Sequence, residues 1–313
     1  MNHNTTIECK QLGKNFGALR ALQNVSMQVP AGSVFGLLGP NGSGKTTTIR
    51  LMLGLLQPDA GSVSVFGLDP IRQGDAVREQ CGALLEHTGL YERLSAEDNL
   101  RFYGQIWHMP QRELQARMQE LLGKLDLWER RKETVGNWSR GMKQKLAVAR
   151  AMLHQPKLVF LDEPTSGLDP VAAAALNNDL LKLVQDEQTT IFLTTHNLSE
   201  AEKVCNLVGV LRKGQLIAFG GPHTLTQPAG STTIEIFGQG LSDTAILQKL
   251  RSLPHVQQVE AVDGHLVIGL EGNTEPAEVV KTLVMNGAAV DEVRRRQAGL
   301  EESFLKLMEE ENA

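Results

Sequence analysis

The chain is poor in aromatic residues, in cysteine and in long apolar stretches, and it carries no surplus of positive charge. Aromatic residues are 4% of the total, too few for a platform on which nucleic-acid bases stack in series. Lys and Arg number 31 against 36 Asp and Glu, a formal net charge of −5. A general affinity for nucleic acid shows as a basic surplus, so no nucleic-acid partner is expected. Cys9, Cys81 and Cys205 are odd in number, widely separated and without a CxxC pair. Neither a disulfide framework nor a zinc site is indicated, and reduced structural thiols are expected. No segment approaches the roughly 18–20 unbroken apolar residues of a membrane-spanning helix. Met1–Lys10 is polar and lacks the apolar core of a secretory signal. The expectation is a chain made and kept in the cytosol.

What is present is an ordinary globular composition, 41% hydrophobic over 313 residues. That length accommodates one large domain and a small one. Residues 5 to about 220 alternate short β-rich runs with longer helical patterns, which predicts a layered α/β fold. Strands are expected at Ser33–Leu38, Leu158–Leu161, Thr190–Thr194 and Val208–Leu211. From about 87 to 155 the pattern turns helical. Leu114, Met118, Leu121, Leu122 and Leu125 mark one helix face. Gly220-Gly221-Pro222 and Gln227-Pro228-Ala229-Gly230 punctuate the chain, and the boundary is placed there. Beyond it the strand and helix signals run βαββαβ, the order of a ferredoxin-like α+β unit over 231–313. Leu300, Phe304, Leu307 and Met308 predict a terminal helix.

Gly39-Pro40-Asn41-Gly42-Ser43-Gly44-Lys45-Thr46 fits G-x-x-x-x-G-K-[ST]. An apolar run, Val34–Leu38, precedes it, and Thr46–Leu56 reads as a helix. Glycines let such a loop curl so that successive N–H groups face phosphate oxygens, and the helix N-terminus adds partial positive charge. Lys45 would reach β- and γ-phosphates, and the Thr46 hydroxyl would bind Mg²⁺. A second run, Leu158-Val159-Phe160-Leu161, ends in Asp162-Glu163. In an open α/β sheet, ligands sit beyond the carboxyl ends of the strands. Asp162 is therefore expected to hold Mg²⁺ directly or through water. Glu163 is expected near the attacking water, as base or water-positioning group.

Together these residues resemble the ATP-binding cassette ATPases over about residues 5–221, a P-loop cassette with a helical signature subdomain inserted at about 87–155. Trp138-Ser139-Arg140-Gly141-Met142 resembles the family signature, usually Leu-Ser-Gly-Gly-Gln, and keeps Ser139 and Gly141. Ser166-Gly167-Leu168-Asp169 resembles the D-loop, and His196 resembles the switch histidine, which the resemblance implies contacts the γ-phosphate. Phe16 stands where the adenine-stacking aromatic is found. Glu86 stands where the family normally has the Q-loop glutamine. Each also has a plainer local reading: Ser139 and Asp169 suit helix N-caps. Ser199 and Glu202 carry the spacing of a capping box, which sets His196 at a strand-to-helix turn. Glu86 adds negative charge near the γ-phosphate, yet remains a hard oxygen ligand for a divalent metal.

The resemblance implies ATP and Mg²⁺ as cofactors, nucleotide contacts from Phe16, the loop Gly39–Thr46, Thr47, Ser139, Gly141 and Asp169, metal contacts from Thr46, Asp162 and Glu86, and catalytic roles for Glu163, His196 and Glu86. It also implies a second cassette subunit, a homodimer being sufficient for two competent sites, and a separate transmembrane permease that docks on Glu86–Leu100. The signature variant and the C-terminal unit resemble subunits that serve exporters of drugs, antibiotics or peptides at the cytosolic face of the membrane. The resemblance implies a regulatory or a dimerising role for this C-terminal unit, and leaves both open. The competing reading is a soluble cassette ATPase acting in DNA repair or on ribosomes. A single phosphate loop, with no coiled-coil insertion or basic arm, weighs against it. The basic run Arg294–Arg296 reads as a solvated strand end.

Overall fold

The computed structural model describes residues 5–225, 231–262, 264–271 and 274–296. By internal contacts the chain divides into two compact units, Met1–Pro222 and His223–Ala313.

The first unit contains two sheets. A three-stranded antiparallel sheet is formed by β1 (Thr5–Phe16), β2 (Leu19–Pro30) and β4 (Ala60–Val65), in the order β2-β1-β4. A six-stranded sheet runs in the order β5-β6-β7-β3-β8-β9, built from β3 (Val34–Leu38), β5 (Cys81–Leu84), β6 (Leu158–Asp162), β7 (Thr190–Thr195), β8 (Leu207–Arg212) and β9 (Gln215–Gly220). Its strands are parallel except β9. All five residues of β3 and of β6 are buried, as befits central strands covered on both faces. Phe35, Phe160 and Phe192 form the middle of the core, with ring centroids 5.0 and 5.7 Å apart along the row.

Helix α1 (Lys45–Met52) packs against strands of both sheets through Ile49, Leu51 and Met52. It is shorter than the expected Thr46–Leu56. Gly54 at φ 68° turns the chain out of the helix, a conformation that glycine adopts without steric cost. A short helix α2 (Gly74–Arg78) precedes β5. Between β5 and β6 lie α3 (Ala96–Ile106), α4 (Gln111–Lys124) and α5 (Arg140–Met152). The five apolar positions of the 114–125 pattern are all buried. Helix α6 (Pro170–Glu187) leads to β7, α7 (Leu198–Val204) joins β7 to β8, and a single turn, α8 (Pro222–Leu225), follows β9. The three cysteines are buried free thiols, and burial pushes each upward, Cys9 and Cys81 to about 12.

The antiparallel sheet was not expected. β1 and β2 are long but irregular: their register shifts between Cys9 and Leu12 and again on either side of Lys14. Each bulge breaks the period-two alternation by which a strand is read.

The second unit has β10 (Ser231–Gln239), α9 (Thr244–Arg251), β11 (Val256–Val262), β12 (His265–Glu271), α10 (Ala277–Met285) and β13 (Ala289–Arg296), a βαββαβ order. The sheet order β11-β12-β10-β13, antiparallel throughout, is that of a ferredoxin-like unit. Ile234, Ile236, Leu266, Ile268, Leu250 and Leu283 form its core. The terminal helix expected from Leu300, Phe304, Leu307 and Met308 lies outside the described residues.

Candidate nucleotide site

The turn from β3 into α1 sets the phosphate loop at the carboxyl end of the central sheet. Gly44 caps α1 at φ 109°, and a Cβ there would stand 2.6 Å from the Ala21 carbonyl oxygen. Only glycine fits both the dihedral and the space. Lys45 is 5% exposed. Its Nζ donates to the Gly39 carbonyl at 2.8 Å and the Pro40 carbonyl at 3.2 Å, and lies 3.2 Å from Glu163 Oε1. The loop's own carbonyls thus hold the ammonium at the loop's centre.

β3, β7 and β6 are adjacent and parallel, so their carboxyl ends meet beside α1. Asp162 and Thr194 are direct partners in the β6–β7 register. The Thr46 hydroxyl donates to Asp162 Oδ2 at 2.7 Å, and the Thr194 hydroxyl donates to Oδ1 at 2.5 Å. Both carboxylate oxygens of a nearly buried Asp are therefore engaged, which fixes the group's plane. Glu163 follows at φ 48° and donates its N–H to Thr194, to Oγ1 at 3.0 Å and to the carbonyl at 3.2 Å. Thr194 is fully buried and was not recognised in the sequence. Its only local signal is its place at the end of an apolar strand, and the pairing to Asp162 is a property of the sheet.

Glu163 Oε2 lies 3.1 Å from Nδ1 of His196, whose side chain is 54% exposed. His196 stands between β7 and α7 as expected, but the cap of α7 is Asn197, which accepts from the Glu200 N–H. Ser199, expected as the capping residue, instead donates to Asn197 Oδ1. Asn197 wins because it occupies the turn position whose side chain reaches the N3 amide.

A cleft of about 740 Å³ opens over the loop, lined by Phe16, Arg20, Asn41, Gly42, Gly44, Lys45, Thr46, Thr47, Glu163 and Lys213 among others. Its size falls in the range of small-molecule sites. Phe16 is half-exposed at its rim, with Lys14 Nζ 5.6 Å from the ring centroid. A second cleft of about 600 Å³ is lined by Thr46, Arg50, Glu86, Arg140, Asp162 and Glu163 with neighbouring residues. Glu86 lies here, paired with Arg50 at 3.4 Å. Ser139 and Asp169 cap α5 and α6: Ser139 Oγ accepts from the Met142 N–H, and Asp169 Oδ1 from those of Val171 and Ala172. Gly141 sits in the first turn of α5, and a Cβ there would meet only the Ala172 Cβ at 3.4 Å. Ser139, Gly141 and Asp169 line neither cleft.

The donor set suits a nucleotide triphosphate and a hard cation. Ser43 Oγ is buried in the loop with no hydrogen-bond partner among the described residues, an orphan that a phosphate oxygen would satisfy. Thr46 and Asp162 present hydroxyl and carboxylate oxygens side by side, the ligand chemistry of Mg²⁺.

Residues 22–166 match the family model described as ABC transporter. The chain is 34% identical to the daunorubicin resistance ATP-binding protein DrrA3 of Streptomyces coeruleorubidus, over 97% of this chain and 96% of that one. It is also 34% identical to the Nod factor export ATP-binding protein I of Rhizobium sp. (strain N33), over 96% of each. A solved structure of the ATP-binding subunit of an ABC transporter superimposes with a TM-score of 0.63 at 32% identity, covering 70% of this chain and 91% of that one. Similarity at this level runs through both units and includes the loop and strand ends described above, so the chain belongs to the ABC transporter family as an ATP-binding, ATP-hydrolysing subunit coupled to transport.

Proposed function

We propose that this subunit is the motor of an export system: it closes as a dimer around ATP, hydrolyses it and so drives a separate membrane permease. The observation that carries the hydrolytic part is the position of Glu163, held between the Lys45 ammonium and the His196 ring at the end of β6. When bound, ATP with Mg²⁺ supplies the scissile phosphoanhydride and neutralises its charge. Lys45 and the N–H groups of residues 41–47 bind the phosphates, while Pro40, which has no N–H, only shapes the loop. Thr46 and Asp162 hold the metal. Glu163 orients and deprotonates the attacking water, and His196 keeps the carboxylate aimed. Phe16 stacks on adenine. Ser139, Gly141 and Asp169, which line neither cleft of their own copy, serve the nucleotide held by a second copy. Glu86 contacts the metal or its water.

The relatives named for daunorubicin resistance and Nod factor export support export over action on DNA or ribosomes. No described helix is long and apolar enough to cross a membrane. The permease is therefore assigned to a separate chain, docked on Glu86–Leu100, with this subunit at the cytosolic face. The C-terminal unit is an accessory domain of the exporter type. The test is Glu163→Gln with saturating ATP and Mg²⁺, followed by size-exclusion chromatography. A stable nucleotide-bound dimer is expected. A monomer under those conditions overturns the dimer mechanism.

A further inference from the structure

Two side chains on one face of helix α1 each bind a carboxylate from elsewhere in the chain. Thr46 and Arg50 are four residues apart, hence neighbours on the helix surface. Thr46 holds Asp162 at 2.7 Å and Arg50 holds Glu86 at 3.4 Å. Glu86 is thus parked one helical turn along from the position where Asp162 meets the loop. Both carboxylates line the same cleft as Glu163. Three acids near the γ-phosphate position oppose the binding of a polyanion unless their charge is offset. Asp162 is offset by two hydroxyl donors and Glu163 by Lys45. Glu86, 69% exposed at its side chain, has Arg50. Of the other cations lining the cleft, Lys143 is engaged by Glu92 at 2.8 Å, and Arg140 makes no ion pair with Glu86.

We propose that Arg50 is a positioning residue for the ATPase reaction. It neutralises Glu86 and holds it off the phosphate-binding end of the cleft, so that a chain with an acid at this place still binds ATP. The proposal rests on the nucleotide-binding reading of the site. Because the pair is exposed and single-bonded, it is weak and can be exchanged. Glu86 can leave Arg50 for a cation bound in the cleft at small cost.

The test is equilibrium binding of ATP and ADP to the full chain, with and without Mg²⁺, in wild type, Arg50→Gln, Glu86→Gln and the double variant. Arg50→Gln is expected to weaken Mg²⁺-free ATP binding about three- to tenfold at low salt. The loss should be smaller for ADP, which carries less charge, and should shrink in 0.5 M salt as screening shortens. In the Glu86→Gln background the same substitution should cost clearly less, because only Arg50's own attraction for the nucleotide is lost and no acid is released toward the phosphates. A purely structural role for Arg50 in α1 would give equal losses in both backgrounds, and that result overturns the proposal. So does unchanged binding in Arg50→Gln alone. Failure of the underlying reading is distinguishable, because then the wild type would bind neither nucleotide.

Discussion

The ammonium of Lys45 lies 3.2 Å from Oε1 of Glu163. The contact joins the phosphate loop to the end of β6, and it means that the carboxylate occupies part of the field meant for a phosphate. Removing its charge while keeping its shape should therefore do two opposite things. In Glu163→Gln, hydrolysis should fall at least about 100-fold, the scale of a lost general base. ATP binding should tighten by a few-fold, because Lys45 no longer divides its charge between the acid and the nucleotide. Steady-state ATPase assays and equilibrium ATP binding check the two halves separately. Weakened binding in this variant would show that the Lys45–Glu163 contact builds the loop rather than competing with phosphate.

His196 touches only the second oxygen of that carboxylate, at 3.1 Å, and is half-exposed. Its removal should leave ATP affinity nearly unchanged and lower kcat by about 10- to 100-fold, since it orients the base without binding the ground state. A His196→Ala variant with raised KM and unchanged kcat would instead place the ring among the nucleotide contacts.

The hydroxyl of Thr194 serves two residues at once, donating to Asp162 and accepting the Glu163 N–H. Thr194→Val keeps the shape of a fully buried residue and removes both bonds. Asp162 would lose one of its two donors and become free to rotate about the other. The expected cost is about 1–3 kcal/mol in stability, from leaving a buried acceptor short of a partner. A weakened Mg²⁺ dependence of ATPase should accompany it. Urea denaturation and a Mg²⁺ titration of activity measure the two effects.

The residues of the site differ in how far the sequence discloses them. The loop and the Asp162-Glu163 strand end are local strings whose chemistry is carried by adjacent residues, and both stand where they were expected. Thr194 becomes part of the site only because β6 and β7 pair in the register that sets it opposite Asp162. Arg50 likewise gains meaning only from Glu86, 36 residues away in the chain. β1 and the first half of β2 are hard to read because bulges interrupt their alternation, and β4 is short, with its first three residues exposed. The cap of α7 fell to Asn197 over Ser199, a choice between two suitable capping residues that spacing does not settle. The second unit includes a strand that alternates cleanly, β12, with every second residue buried. Its order could be read directly.

Gly44 supports a prediction about the loop backbone. Its φ of 109° is unfavourable for any side chain, and the Ala21 carbonyl leaves no space for a Cβ. Gly44→Ala should cost about 1–3 kcal/mol or more and should abolish ATP binding by reshaping the turn that aims Lys45. Thermal unfolding with and without ATP checks this: the variant should melt lower and lose the ATP-induced rise. A normal rise in its melting temperature with ATP would show that the loop tolerates the change.

The last prediction concerns pH and lies away from the nucleotide. His154 stacks on Trp107 at a centroid distance of 3.9 Å and bonds the Cys81 carbonyl through Nε2 at 3.1 Å, while its Nδ1 is buried without a partner. Nε2 must therefore carry the proton, and the neutral ring is the form that fits. Burial is the main cause that depresses its pKa from 6.5 to about 4, with the nearby Arg117 charge acting in the same direction. The unfolded chain takes up a proton near pH 6.5, whereas the folded chain resists until about pH 4. Stability from this residue is thus complete above pH 6.5 and is lost progressively as pH falls toward 4. The shift corresponds to about 3 kcal/mol as an upper bound. His154→Gln can keep a donor to Cys81 but cannot titrate. Its urea midpoint should lie below wild type at pH 7.5, and the gap should narrow or close by pH 4.5. A gap that stays constant across that range would mean that His154 contributes by packing alone.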